Sequence, residues 1–419
     1  MKINNSFFAK GTFLRNGGLV MIASIIGALA NWLQLTLFTK NFTLLQIGVY
    51  TLAISISAPV ISLLRFGLSP LYVADIERKF EYNNYFSLRI VSVFISLLIG
   101  LIISFFIFDT SVNSTVFFLV FCMYSIDAIR DIFESKYHSL EKFNLMSSSV
   151  IINSIISFSG VFFGVFLFSD FVIALIFAVF FKILIVYFYN YKYLFQFILN
   201  QSLQFIVNKR IISLLKYSFY LGVYVAIDSL NVNVSKYFIN NRFGIEYQGA
   251  FSAMSYLIVI GTLLVTTLGK LILPKVSKLL VAKKFTAILK YQFIYSLMIF
   301  VTGLLLLIGA YFFNEIIIET FFSKEIAEFS EIFVWIMGAA IFLFLSSGQG
   351  YLMTAINIVK LQPLVALIGL SINLVLNFVF IDQFGVKGII VSSGISFLTQ
   401  YLINVFIFYR KIGSENYKK

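Results

Sequence analysis

The feature that most limits what this chain can fold into is the length of its apolar stretches. A helix needs roughly 20 largely apolar residues to cross the hydrocarbon core of a bilayer. Twelve such stretches follow one another, at about 15–38, 47–73, 88–108, 114–136, 146–168, 170–190, 215–239, 248–273, 290–313, 332–355, 362–381 and 388–409. The strands of an outer-membrane barrel would be about half as long, roughly ten residues, and would alternate in polarity. In lipid a lone segment satisfies all its backbone hydrogen bonds only as a helix. The pattern therefore predicts an all-α integral membrane protein of about 12 transmembrane helices. The composition agrees, with 60% hydrophobic and 12% charged residues and a mean hydropathy of +0.97, because a soluble chain of 419 residues needs far more polar surface. The basic segment MKINNSFFAKGTFLR runs into the first stretch without a small-residue cleavage site, which predicts an uncleaved first span. The narrowest break between spans is Ser169–Asp170.

The net charge of +13 invites an anionic partner, but membrane topology must be considered first. With the N-terminus inside, 22 of the 31 basic residues fall in inner segments. Four lie in outer loops (Lys40, Arg242, Lys324 and Lys387) and five in spans (Arg65, Arg130, Lys182, Lys236 and Lys270). This asymmetry predicts cytoplasmic termini and accounts for most of the charge, leaving no reason to expect nucleic acid. The outer loops are short, and the longest, 314–331, could hold a small interfacial helix. The longest inner segment, 191–214, reads as an amphipathic surface helix at the midpoint of the chain. It would join an N-terminal six-helix lobe, 1–190, to a C-terminal one, 215–419. Segments 41–55 and 242–256 correspond across the halves, with Phe42 matching Phe243, Gly48 matching Gly249 and Tyr50 matching Phe251. Each opens an even-numbered span, so the repeat is parallel, about an axis along the membrane normal.

No GxxxxGK[ST] phosphate loop, HExxH metal motif or credible Ser/His/Asp arrangement is present. One cysteine, Cys122, and one histidine, His138, exclude an internal disulfide and a Cys/His metal cluster. No cofactor or metal is implied, and His138 reads as a solvated loop residue. Twelve spans without a catalytic constellation describe a secondary transporter rather than an enzyme.

Ionisable groups at membrane depth are costly, so they usually face protein or water and serve a function. At 100° per residue, Tyr217, Tyr220, Tyr224, Asp228, Asn231 and Ser235 form one stripe on span 7, with Lys236 at its edge near the outer end. That stripe is either a wall of a hydrated cavity or a seam of interhelical hydrogen bonds. Lys236 could also snorkel. Asp228, close to mid-span, is the candidate ion-coupling residue. It could equally only hydrogen-bond within the cavity or pair with a lysine of the other lobe. On span 4, Asp127, Arg130, Asp131 and Glu134 follow i, i+3, i+4, i+7, so Arg130 can pair along its own helix. Arg65 on span 2 and Lys182 on span 6 have no acidic neighbour on their own helices. Either an anionic ligand visits them or Asp127 or Asp131 pairs with them.

The stretch SINLVLNFVFIDQFGVKGIIVSSGIS, 371–396, carries Asn373 and Asn377 one turn apart, then FGVKG and a small-residue helix. It resembles the last two spans of polysaccharide flippases in the multidrug/oligosaccharidyl-lipid/polysaccharide exporter superfamily. The pattern at 243–251, its weaker copy at 48–50, and RFGLSP at 65–70 resemble the same family. Lipid II flippases of that superfamily have fourteen helices, whereas twelve suits O-antigen and capsule flippases and multidrug antiporters. The resemblance implies two lobes forming a V in a bacterial inner membrane. They would move an undecaprenyl-pyrophosphate-linked oligosaccharide to the periplasmic leaflet by alternating access, coupled to H⁺ or Na⁺. Arg65 and Lys182 would then meet the pyrophosphate, while the Tyr217–Tyr224–Asn231 stripe would meet the sugars, with Asn373 and Asn377 among the residues expected to line the cavity. Membrane lipid would hold the prenyl tail. A multidrug antiporter is the alternative, and a glycan polymerase or ligase is disfavoured by the short outer loops.

Overall fold

The computed structural model describes residues 10–417 apart from 76–78, 108–109, 201, 207, 357 and 359. Among the described residues there is helix and no strand. In the N-terminal half the helices are α1 (Lys10–Asn41), α2 (Leu44–Leu64), α3 (Leu68–Ala74), α4 (Tyr82–Ile107), α5 (Ser111–Ser139), α6 (Phe143–Phe168) and α7 (Phe171–Leu184). α7 continues as a π-helical stretch, Ile185–Ile198. Then come α8 (Lys209–Phe243), α9 (Ile245–Tyr256), α10 (Ile258–Val281), α11 (Phe285–Phe321), the single turn α12 (Lys324–Ala327), α13 (Ser330–Ala355) and α14 (Gln362–Tyr417).

Ten helical stretches among the described residues are long and apolar enough to cross a membrane. The last of them turns back at Gly385, where φ is +58° and ψ is −139°, and so comprises two spans. α5, 29 residues long, is not among the ten, and its second half carries the charged residues Asp127, Arg130, Asp131 and Glu134. With α14 counted as two and α5 counted as a crossing, the described residues accommodate the twelve spans that the apolar pattern predicts. This is a multi-pass membrane protein.

Local chemistry explains the breaks. Thr43 and Gln46 form a reciprocal capping box at the start of α2, and Thr43 and Gly244 are the N-caps at matching positions of the proposed repeat. At the narrow break, Ser169 closes α6 in the left-handed region (φ +51°), and the Asp170 side chain accepts from the backbone N–H of Ile173 at 2.9 Å. Two spans can thus be separated by two residues. A Cβ on Gly164 would lie 2.5 Å from Ala174 Cα, so only glycine lets α6 and α7 approach this closely. The second span is broken into α2 and α3 at Arg65–Gly67, where Gly67 adopts φ +57° and faces Leu221 of α8.

The segment expected to be a separate surface helix, 191–214, differs. Its first part prolongs α7 with π-helical hydrogen bonding to Ile198, and its last part is the start of α8. Between them residues 202–206 form no regular element, and the Ile206 backbone N–H donates to Ser87 Oγ on α4 at 2.9 Å. Apolar residues that suggested a membrane-surface face instead pack on protein: Leu194 and Phe195 are buried against Phe133 and Tyr137. The chain divides into two compact units, Met1–Ala226 and Ile227–Lys419. The division falls inside α8 rather than at the predicted linker. Unit 2 is built around Phe344, Leu352 and Met353 of α13, with Tyr295 and Ile299 of α11.

Candidate functional site

Seven charged residues of unit 1 collect in one cluster around α5. Three carboxylates follow helical spacing there, and each acquires a partner. Arg130 stands between Asp127 (Nη1–Oδ1 3.5 Å) and Glu134 (Nε–Oε1 3.2 Å), which is the ladder its spacing predicts. From α7, Lys182 Nζ reaches Asp127 Oδ2 at 2.7 Å. From α4, Arg89 Nη2 lies 3.4 Å from Asp131 Oδ2, and Ser69 Oγ of α3 donates to the same carboxylate. Glu134 accepts from Ser149 of α6 at 2.9 Å, and Ser149 in turn contacts Asn190 at 2.6 Å. Of the two cations without acidic neighbours on their own helices, Lys182 is therefore held by Asp127, one of the two outcomes its sequence left open.

Arg65 is the other. It sits at the α2–α3 break, half-buried, and forms no ion pair among the described residues. Its Nε is buried with no hydrogen-bond partner. It lies within electrostatic reach of Asp127, Lys182 and Arg89. The cluster thus sets four cations (Arg65, Arg89, Arg130, Lys182) against three carboxylates (Asp127, Asp131, Glu134). The surplus is one positive charge, borne by a guanidinium with an unused donor. An unpaired charge of this kind is costly unless a counter-ion joins it.

Arg89 was not singled out from sequence, since it stands at the very start of an apolar stretch. α4 begins seven residues earlier, which carries Arg89 about 10 Å into the helix. It is fully buried, and its Nε and Nη1 have no partner. A cation two residues into an apolar run, rather than before it, was the available signal.

α8 carries the predicted polar stripe across both units. In its first half Tyr217 and Tyr220 are exposed, and Lys79 Nζ stands 5.1 Å from the centre of the Tyr217 ring. Tyr224 is half-buried. Asp228 is exposed and has no partner among the described residues. The rest of the stripe, in unit 2, has a different environment. Asn373 Nδ2 donates to Asn231 Oδ1 (3.1 Å) and to its carbonyl (3.2 Å), and Asn377 Nδ2 donates to Asn373 Oδ1 (3.1 Å). All three side chains are buried. Ser396, on the second arm of α14, joins the network at 3.4 Å from Asn231 Oδ1, and Ser235 bonds Ser393 at 2.6 Å. These residues form the interhelical seam that was the alternative to a cavity wall. Lys236 donates to Asn233 at 3.0 Å rather than standing free. His138, exposed at the end of α5, shares a cavity of about 360 Å³ with Ser69, Asp131, Glu134 and Met146.

Comparison with known proteins gives the family and the fold. A family model described as polysaccharide biosynthesis protein matches residues 13–280. The chain is 25% identical over 407 residues to the capsular polysaccharide biosynthesis protein CapF of Staphylococcus aureus, covering 95% of this chain and all of that one. Its fold is similar to that of the lipid II flippase MurJ in an inward closed conformation. There the TM-score is 0.73 at 17% identity, over 94% of this chain and 89% of MurJ. It is also similar to an inward-facing multidrug resistance MATE family transporter of the MOP superfamily, with a TM-score of 0.72 at 9% identity over 95% and 98% of the two chains. The chain thus has the fold of that superfamily and belongs to the polysaccharide biosynthesis protein family.

Proposed function

We propose that this protein is a flippase for an undecaprenyl-pyrophosphate-linked oligosaccharide. It would act without enzymatic chemistry, carrying the repeat unit of a capsule or related surface polysaccharide from the cytoplasmic to the outer leaflet of a bacterial plasma membrane. Transport proceeds by alternating access, with the two compact units as its lobes. The observation that carries this reading is the surplus cation of unit 1. Arg65 offers a partly buried guanidinium with an unused donor, beside carboxylates already engaged by other cations. A pyrophosphate is the cargo group that such a site recognises. The family and the capsular relative support the glycan, and the likeness to MurJ supports a fold suited to flipping. A multidrug antiporter for cations would favour a cavity dominated by carboxylates, whereas the three carboxylates of the α5 cluster each hold a cation.

Arg65 leads the substrate-binding set, with Lys182 and Arg89 behind it. Asp228, exposed and unpartnered in mid-span, is the group available to exchange H⁺ or Na⁺ with the membrane gradient. The test is complementation of a flippase-null strain. Arg65→Ala should abolish surface glycan at normal expression. Arg65→Lys should rescue only in part, because an ammonium cannot make a bidentate contact. Normal export by Arg65→Ala overturns the assignment.

A further inference from the structure

Two glycine motifs of the C-terminal half meet at one end of unit 2, and neither is used by the reading above. Gly244 joins α8 to α9 at φ +90° and ψ 169°, and Gly385 turns α14 at φ +58° and ψ −139°. Both conformations are ones that other residues avoid. The two turns are held close. Arg242 Nη2 pairs with Asp382 at 2.7 Å, and the Phe243 ring lies 3.7 Å from where a Cβ on Gly385 would stand.

Between these turns and the start of α13 is a cavity of about 260 Å³, lined by Tyr247, Glu328, Phe329, Glu331, Phe384 and Lys387. It lies just below the roughly 300–1,000 Å³ range of small-molecule pockets, a size for one sugar ring. Tyr247 packs edge-on against Phe329, with centroids 4.8 Å apart. Lys387 pairs with Glu331, and its Nζ stands 5.7 Å from the centre of the Trp335 ring. Aromatic carbon, two carboxylates and an ammonium share one small space. Both carboxylates are exposed and Glu331 is already paired with Lys387, so an apolar ligand would use only the aromatic carbon. A divalent cation would face Lys387, which opposes it and already occupies Glu331. A polyhydroxylated ring suits all three groups, since its C–H face lies on aromatic rings, its hydroxyls donate to the carboxylates and its oxygens accept from the ammonium.

We propose that this cavity is a carbohydrate subsite that binds one pyranose ring of the cargo glycan. The proposal rests on the flippase reading, and it places sugar recognition at a site separate from the cationic cluster of unit 1.

The test uses the full-length protein in detergent with Trp32→Phe, which leaves Trp335 as the only tryptophan of the two in the chain. The probe is the repeat-unit oligosaccharide released by mild acid from the lipid-linked intermediates of the producing cells. A saturable change in Trp335 emission is expected. Glu328→Gln, at an exposed position, and Tyr247→Ala should each weaken it at least tenfold with an unchanged melting midpoint. Arg65→Ala should leave it intact. The proposal is overturned if the oligosaccharide gives no saturable response, if both variants respond as the parent does, or if magnesium chloride alone reproduces the signal. Transport lost in Arg65→Ala without any oligosaccharide response removes the subsite and leaves the flippase reading standing. Oligosaccharide binding with normal transport in Arg65→Ala removes the Arg65 assignment alone.

Discussion

Breaking the Lys182–Asp127 pair should destabilise the protein unequally, according to which partner is removed. The two side chains meet at 2.7 Å and are only 12% and 24% exposed. Asp127→Asn leaves Lys182 with no other carboxylate in ion-pair distance among the described residues. Truncating one side of a buried pair costs about 3–5 kcal/mol, and the residual exposure here argues for about 3. Lys182→Met leaves Asp127 with Arg130 at 3.5 Å, so the carboxylate keeps a partner. Its loss should be nearer to 1 kcal/mol, within the range of a partly solvated pair. The double variant removes the orphaned ammonium, so it should resemble Lys182→Met, with a coupling of about 3 kcal/mol between the sites. The assay is thermal unfolding of purified protein in detergent, followed by tryptophan emission. The expected order of midpoints places Asp127→Asn lowest, with the double variant above it. Equal single losses that sum in the double variant would refute the reasoning. The same variants then separate structure from transport. If Lys182 serves mainly to hold α7 to α5, the stable double variant still exports glycan. If it also meets the pyrophosphate, export is lost while stability is kept.

Four further outcomes follow from the structure. Gly67→Ala forces a side chain into the left-handed region and against Leu221 Cβ at 2.7 Å. It should cost about 2–4 kcal/mol, the sum of conformational strain and overpacking. Gly309→Ala, in open helix surroundings, should be neutral or gain up to about 1 kcal/mol, and one melting series compares the two. Asn373→Ala removes the link between Asn231 and Asn377 in a fully buried seam, so a loss of about 2–3 kcal/mol is expected; an unchanged melting midpoint would refute that seam. In proteoliposomes, Asp228→Asn should still bind lipid-linked glycan but stop responding to an imposed pH or Na⁺ gradient, and gradient-driven transport at the wild-type rate would remove it from coupling. The distribution of basic residues predicts a cytoplasmic C-terminus, so reporter fusions there should be active only as cytoplasmic fusions, and activity only in the periplasm would refute it.

The sequence by itself determined what depends on neighbours along one helix. Apolar length specified the twelve crossings, because bilayer thickness sets a length that no other structure satisfies. The Asp127–Arg130–Glu134 ladder was legible because i, i+3 and i+4 positions must meet on any helix. The break at Ser169–Asp170 was visible as well, and the N-cap chemistry of aspartate explains why so short a break suffices. The tertiary structure decided what depends on neighbours across helices. Lys182 and Asp127 are 55 residues apart, and Asn231 and Asn373 are 142 apart. Nothing in local spacing says which helix faces will meet. So Lys182 was indistinguishable from a free cation, and the buried asparagines from a cavity wall. Arg89 looked like an interfacial residue because the apolar run began beside it, while the helix began a turn or two earlier. The segment after α7 misled for the same reason. An amphipathic face reports that a helix has an apolar neighbour, but it cannot tell lipid headgroups from α4 and α5. Arg65 is the reverse case: its isolation was suspected from sequence, but only the placement of every nearby carboxylate against another cation turned that isolation into a site.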